Sequence, residues 1–436
     1  METTGPIENF RADFPALHQT RNSLPPVYFD NACTTLVPQP VIDELTAYYT
    51  EYPACGGRRS HHWFASEVTR RVNAARERLA GFIKAESSSE IIFTLNTTQA
   101  INMVALGLPF KAGDVVLLSG EEHNSNLLPW LRLQQKGAVR VEHLSAAESE
   151  EFDLAAFEER LSRAPVRLVS LAWTSNVTGS SLPAQEIIAA AHRHGALVLL
   201  DGAQTVPHQA VDVRSLDVDF LAFSLHKMCG PRGVGVLYAR NEFISAPSGS
   251  PNALEAVLLG GGNAINSTFQ GYQLLEGPER FEPGIPDYPG QIAAGAAVDY
   301  LEHVGMERIR KQEESLNSYL SARMQERYGH LGWLEILGPL EPERRGGILS
   351  FSVRRPNAVG IAEELDRAAN IMIRDGVFCA HSYFNERYGE AWLHPKTHRE
   401  HRMVYRVSLY FYNTRAECEF FLNALDAVFQ ERGYLE

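Results

Sequence analysis

Ala184-Gln-Glu-Ile-Ile-Ala-Ala-Ala-His-Arg-His-Gly-Ala-Leu-Val-Leu-Leu-Asp-Gly-Ala-Gln204 decides the fold. From Ala184 to His194 the apolar residues recur at helical spacing, and Gly195 stands where a helix C-terminal cap belongs. Ala196 to Leu200 is an unbroken apolar run of strand length, the mark of a strand buried on both faces. It stops abruptly at the polar Asp201-Gly-Ala-Gln204. A helix feeding a doubly buried strand is half of a βαβ unit, which implies a parallel sheet covered by helices.

The same pattern recurs on either side. Glu90-Ile-Ile-Phe-Thr94, Val115-Val-Leu-Leu118, Arg167-Leu-Val-Ser-Leu-Ala172 and Asp219-Phe-Leu-Ala-Phe-Ser224 read as further buried strands, and Gln99 to Leu106 as another helix. From Ser245 to Pro289 the chain becomes rich in Gly, Pro and Ser, the clearest boundary signal. Beyond it, Gln291 to Arg327 is expected to be long amphipathic helix, followed by strands over Gly347 to Val353 and Tyr405 to Tyr410. The expected division is an N-terminal arm over 1–26, a large domain over 27–289 and a smaller α+β domain over 290–436. No internal repeat is present.

Composition narrows the function. The 436 residues are 44% hydrophobic and 21% charged, the balance of a globular chain long enough for two or three domains. Forty Lys and Arg against 53 Asp and Glu leave a net charge of -13 without a basic block, so nucleic acid is not an expected partner. No apolar run is long enough to span a bilayer, and Met1 to Arg11 is polar and acidic rather than a secretory signal; a cytoplasmic protein is expected. Cys33, Cys55, Cys229, Cys379 and Cys418 are scattered and odd in number, which speaks against a disulfide framework or structural zinc site.

In an open parallel sheet, ligands bind beyond the carboxyl ends of the strands. Asn96-Thr97-Thr98 follows the first strand and opens a helix, a place for a phosphate. Glu121-Glu122-His123-Asn124-Ser125-Asn126 and Ser175-Asn176-Val177-Thr178-Gly179 follow the next two. Asp201 ends a very apolar strand, where a carboxylate is costly unless a cation meets it. Ser224-Leu-His226-Lys227 ends the last. Of the six lysines, at 84, 111, 136, 227, 311 and 396, only Lys227 leaves a buried strand for the site; desolvation there favours the neutral, nucleophilic amine. A phosphate site, a ring-stacking histidine, an acid for a pyridinium nitrogen and a Schiff-base lysine together describe pyridoxal phosphate.

Tyr28-Phe-Asp-Asn-Ala-Cys-Thr-Thr35, Asn96-Thr-Thr-Gln-Ala-Ile-Asn102, Glu122-His-Asn-Ser-Asn-Leu-Leu-Pro-Trp130 and Asp201-Gly-Ala-Gln204 leading to Ser224-Leu-His-Lys227 resemble the class V aminotransferase family, and within it the SufS-like cysteine desulfurases. The resemblance runs from about Val27 to Leu425 and implies a fold-type-I pyridoxal-phosphate transferase and a homodimer. It implies that Lys227 carries the cofactor, His123 stacks on its ring, Asp201 pairs with the ring nitrogen and Gln204 meets the ring hydroxyl. Thr97, Thr98, Ser224 and His226 would hold the phosphate end, and Asn176 would lie against the ring hydroxyl and the substrate carboxylate.

Ile373-Arg-Asp-Gly-Val-Phe-Cys-Ala380 resembles the desulfurase loop in which a nucleophilic cysteine, here Cys379, follows an arginine, here Arg374. Arg406, in Tyr405-Arg-Val-Ser-Leu-Tyr-Phe-Tyr-Asn-Thr414, matches the family's carboxylate clamp. The implied reaction takes sulfur from L-cysteine, leaving L-alanine and a persulfide on Cys379, with a sulfur-acceptor protein as a further partner. A C-S lyase or aminotransferase acting on a cysteine-derived or other amino acid, and a catalytically silent cofactor-binding subunit, are the alternatives. Three departures stand out. Cys33 replaces the family's usual alanine and is a rival thiol; Ile285, in Phe281-Glu-Pro-Gly-Ile-Pro286, replaces a threonine that reaches the partner's phosphate; and His381, His394, His398 and His401 crowd a segment read as solvated insertion rather than a metal site.

Overall fold

The computed structural model describes residues 6–145, 152–339, 341, 344–389 and 402–435. The chain leaves its N-terminal arm through β1 (Val27–Tyr28). It then builds a sheet from β2 (Ile91–Thr94), β3 (Val115–Ser119), β4 (Arg140–Leu144), β5 (Val166–Ala172), β6 (Leu197–Asp201), β7 (Phe220–Ser224) and β8 (Gly235–Ala239). The order across the sheet is β2-β8-β7-β6-β5-β3-β4. β8 pairs antiparallel with both β2 and β7, and the remaining pairs are parallel. The carboxyl ends of β2, β3, β5, β6 and β7 therefore open on one edge, as the alternating pattern requires.

The five buried strands expected from the sequence are present, each within a residue or so of its expected ends, and β7 is buried at all five positions. β4 is the edge strand, with Arg140 and His143 exposed and no continuous apolar run, so the sequence pattern does not mark it. The helix Ala184–Arg193 ends as expected, with Gly195 at φ +74°. Helix Thr97–Gly107 starts at Asn96, whose Oδ1 accepts the Gln99 N–H at 3.0 Å.

The long helix expected from Gln291 to Arg327 is two helices, Tyr288–Val304 and Met306–Tyr328. Gly305 breaks them at φ +92°, a conformation that only glycine adopts cheaply. The first is not amphipathic but buried on almost every side, packed against helices Gln39–Glu51 and Trp63–Phe82. Its approach to the second of these is close enough that a Cβ on Gly295 would sit 2.9 Å from Ala75 Cβ. The irregular stretch before it holds an exposed hairpin, β9 (Ala264–Thr268) and β10 (Gly271–Leu274), with Phe269 fully exposed at the turn.

A second sheet collects the C-terminal third. β11 (Leu334–Leu337), β12 (Ile348–Val353), β14 (Arg374–Asp375) and β15 (Met403–Ser408) run antiparallel in the order β11-β12-β15-β14. β13 (Ile371–Met372) pairs in parallel with β1, so the start of the chain is stitched into its end. Val27 and Phe29 share a core with Leu316, Leu320, Phe351 and Phe421, whereas Ile292, Val298 and Leu301 belong to the core of the main sheet. On this packing we propose that the large unit extends through Val304 and the small unit takes up β1 together with the chain after Gly305.

Candidate active site

Cys33, Asn96, Thr97, Thr98, His123, Ser125, Thr174, Asn176, Asp201, Gln204, Ser224, His226 and Lys227 line one cavity of about 240 Å³ at the carboxyl edge of the main sheet. It gathers every cofactor-contact residue expected from the strand ends. β6 delivers Asp201 as its last residue, and the short turn Leu225–Lys227 after β7 delivers Lys227.

The electrostatics are those of a desolvated site. Burial pushes the Lys227 amine down from its ordinary value, with Asp201 opposing the shift. Burial pushes the Asp201 carboxyl up, opposed by the Ala203 N–H, which it accepts at 2.9 Å, and by Lys227. His123 and His226 are each pushed down to about 4, first by burial and then by the charge of Lys227, so both rings are neutral at pH 7. His123 Nδ1 accepts the Ser125 N–H at 3.1 Å, which leaves the ring proton on Nε2.

The polar end of the cavity is the start of helix Thr97–Gly107. Ser224 Oγ accepts the Thr97 N–H at 2.8 Å and lies 2.6 Å from Thr97 Oγ1; Thr98 Oγ1 lies 2.7 Å from Ser125 Oγ. Two loops thus set hydroxyls around a helix N-terminus that attracts anions. At the other side, Gln204 Nε2 donates to Ala32 O at 2.7 Å, while its Oε1 is buried with no hydrogen-bond partner among the described residues. An orphaned acceptor, a buried amine opposite a buried carboxyl, and an anion-seeking helix start fit pyridoxal phosphate: a ring hydroxyl, an aldehyde, a ring nitrogen and a phosphate.

Arg374, Cys379 and Arg406 are not among the residues that line this cavity; the two arginines, from the small sheet, contact its lining residues Cys33 and Asn176. Arg374 and Arg406 are direct cross-strand partners on β14 and β15. Arg374 holds Asp30 in a two-pronged pair, Nε to Oδ1 at 2.9 Å and Nη2 to Oδ2 at 2.7 Å, and Nη2 also lies 2.9 Å from Cys33 Sγ. Arg406 is almost wholly buried; Nη1 donates to Asn176 O at 2.9 Å and the guanidinium sits 4.7 Å over the Phe378 ring. Cys379 is exposed, in a turn where Phe378 and Cys379 have φ of +47° and +57°. Two successive non-glycine residues in that region store strain, which surrounding bonds must hold. Asn176 Nδ2 donates to Phe378 O at 2.8 Å and the Asn124 N–H to Cys379 O at 2.7 Å, so the loops that line the cavity pin the cysteine turn above it.

Ser125 and Thr174 also line the cavity, Asn124 pins the Cys379 turn and Asp30 pairs with both arginines; no sequence pattern marks these four, although Asn124 and Ser125 share the strand-end loop of His123. Glu122 lies fully buried next to His123, pushed up to about 7 by burial against the donors Ser119, Asn126 and Ala172 N–H. His381 bonds Asn124 Nδ2 through Nδ1 at 3.0 Å; His394, His398 and His401 lie outside the described residues. Among the described residues no cluster of three or more His, Cys, Asp or Glu could hold a metal, and no helix is long and apolar enough to cross a membrane.

A mostly parallel sheet whose strand ends bring a buried lysine, a histidine and a buried aspartate into one cavity defines a fold-type-I pyridoxal-phosphate enzyme. The profile of the aminotransferase class-V family matches residues 27–421, and the chain belongs to that family. It is 37% identical over 422 residues to a probable cysteine desulfurase of Methanothermobacter thermautotrophicus, covering 97% of this chain and 98% of that one. Among solved structures it is similar to a cysteine desulfurase of Thermococcus onnurineus NA1, with TM-score 0.86, 33% identity, and coverage of 99% and 100% of the two chains. A cysteine desulfurase of Escherichia coli superimposes with TM-score 0.82 at 28% identity, covering 98% and 99%.

Proposed function

We propose that this chain is a pyridoxal-phosphate-dependent cysteine desulfurase that converts L-cysteine to L-alanine and leaves the sulfur as a persulfide on Cys379. The observation that carries this reading is the exposed Cys379 turn, strained and pinned through its carbonyls to the loops that line the cofactor cavity. The similarity to cysteine desulfurases along nearly the whole chain supports it.

Thr97, Thr98, Ser224 and His226 would hold the phosphate, Gln204 the ring hydroxyl, Asp201 the ring nitrogen and His123 the ring face, and Lys227 would bond the aldehyde. When bound, the cofactor delocalises the charge left on the substrate α-carbon after its proton is removed. Lys227 Nζ, set free as the substrate amine takes its place on the aldehyde and with its pKa lowered by burial, would take that proton and later return it. Arg406 and Asn176 orient the substrate carboxylate. The Cys379 thiolate attacks the substrate sulfur; an S-S bond forms as the C-S bond breaks, and the β-carbon gains a proton to give alanine.

The exposed apolar residues Leu258, Leu259, Ile265, Phe269, Tyr272 and Ile285 gather on one segment, which we assign to a homodimer interface. The exposed position of Cys379 suits delivery of sulfur to a protein acceptor, and five free thiols suit a reducing, cytoplasmic compartment. Incubation of the loaded protein with L-cysteine tests the reaction: alanine with protein-bound sulfur is expected. Pyruvate with free sulfide would make it a C-S lyase, and no product would overturn both.

A further inference from the structure

Asp30 stands between the two arginines of the site. Its carboxylate is anchored on the half-exposed Arg374, with three contacts of 2.7 to 3.1 Å. Its Oδ1 also lies 3.4 Å from Arg406 Nη2, the one ion pair that Arg406 makes among the described residues. Arg406 is the more demanding cation of the two. Its side chain is 3% exposed, Nη1 is satisfied by a carbonyl, and Nε is buried with no hydrogen-bond partner among the described residues. Burial pushes its guanidinium down to about 10, which still leaves it charged at neutral pH. Strand pairing fixes this arrangement: Arg374 and Arg406 are cross-strand neighbours, and a bridge between Asp30 and Ser408 sets the carboxylate beside them.

A buried guanidinium needs a counter-ion, because it cannot shed its proton as a lysine can. A short, two-pronged pair on Arg406 would close it to any other carboxylate; a fully unpaired Arg406 would be costly. Asp30 does neither, because Arg374 holds it back. We propose that Asp30 is a resident competitor at Arg406: it neutralises the buried guanidinium between turnovers, and the carboxylate of the incoming amino acid takes its place there while Asp30 stays on Arg374. This rests on the reading of Arg406 as the substrate-carboxylate clamp. Asp30 then acts as a positioning residue that weakens the hold on substrate and product alike, which favours release of the product.

The test uses the loaded enzyme and L-alanine, which carries the carboxylate but no sulfur, with binding read from the cofactor absorbance. In Asp30→Asn, L-alanine should bind about tenfold more tightly, about 1.4 kcal/mol, whereas alanine amide, lacking the carboxylate, should bind as it does to the parent protein. Asp30→Glu keeps the charge and brings it nearer Arg406, so L-alanine should bind more weakly, and this variant serves if the asparagine form does not fold. Unchanged or weaker L-alanine binding in Asp30→Asn, or an equal gain for the amide, would overturn the proposal, since loss of a merely structural ion pair loosens a site. Arg406→Gln separates the two readings: if it binds L-alanine like the parent, the clamp assignment itself falls, whatever Asp30 does.

Discussion

Ser224→Ala tests the phosphate end of the site. Ser224 is 2% exposed, accepts the Thr97 N–H at 2.8 Å and lies 2.6 Å from Thr97 Oγ1, so a phosphate bound at the helix start would meet its hydroxyl. A hydrogen bond to a charged group contributes about 1.5 to 3 kcal/mol, so its loss should weaken pyridoxal phosphate binding about 10- to 150-fold. Titration of apoprotein with pyridoxal phosphate, followed by absorbance, measures this directly. The same titration with pyridoxal, which has the ring and aldehyde but no phosphate, provides the contrast and should change little. The substitution also orphans a buried backbone N–H, so the apoprotein should melt earlier, a separate readout that scores the structural part of the effect. An equal loss for pyridoxal and pyridoxal phosphate, or less than a twofold loss for the phosphate form, would refute the assignment.

Lys227→Ala should leave a folded protein that no longer retains pyridoxal phosphate covalently after borohydride reduction; pyridoxyl found on Lys111 or any other lysine would contradict the site. Burial pushes Glu122 up to about 7 from an ordinary 4.5, so the folded chain holds this proton more tightly than the unfolded one. Its contribution is fully present below 4.5 and is lost as pH rises through about 7, a change of roughly 3 kcal/mol. Denaturant melts of the apoprotein should therefore weaken between pH 5 and pH 8, and Glu122→Gln should flatten that slope; identical slopes would dismiss the role given to this carboxyl. Phe269→Asp, at the tip of the exposed hairpin, should shift light scattering from dimer toward monomer, and a monomeric parent protein would remove the interface altogether.

What was legible in the sequence follows from how each element is buried. β2, β3, β5, β6 and β7 announce themselves because strands covered on both faces must be largely apolar, and the strand end or the loop after each carries polar groups with chemistry to offer. β4 has one edge in water and carries no such run. The break at Gly305 is a single glycine inside an otherwise helical pattern, which composition alone does not distinguish from a tolerated one. Lys227, Asp201 and His123 were readable because the strands aim them at one edge. Asp30 was not, since its meaning comes from β1 pairing with β13, a contact across more than three hundred residues. The strain at Phe378 and Cys379 is equally hidden: neither residue type favours a positive φ, and contacts distant in sequence, among them the bonds from Asn124 and Asn176 and the Arg406 guanidinium over Phe378, hold them there.

The most direct measurement is where sulfur rests after one turnover. The loaded protein is mixed with one equivalent of L-cysteine labelled at sulfur, quenched with an alkylating reagent and digested without reductant, and the peptides are weighed. The expected result is one labelled sulfur on the peptide bearing Cys379, one alanine released per site, and no label when Cys379→Ser replaces the parent protein. Label on the peptide bearing Cys33, or pyruvate and free sulfide with no labelled peptide, would contradict the assignment of Cys379 as the sulfur carrier.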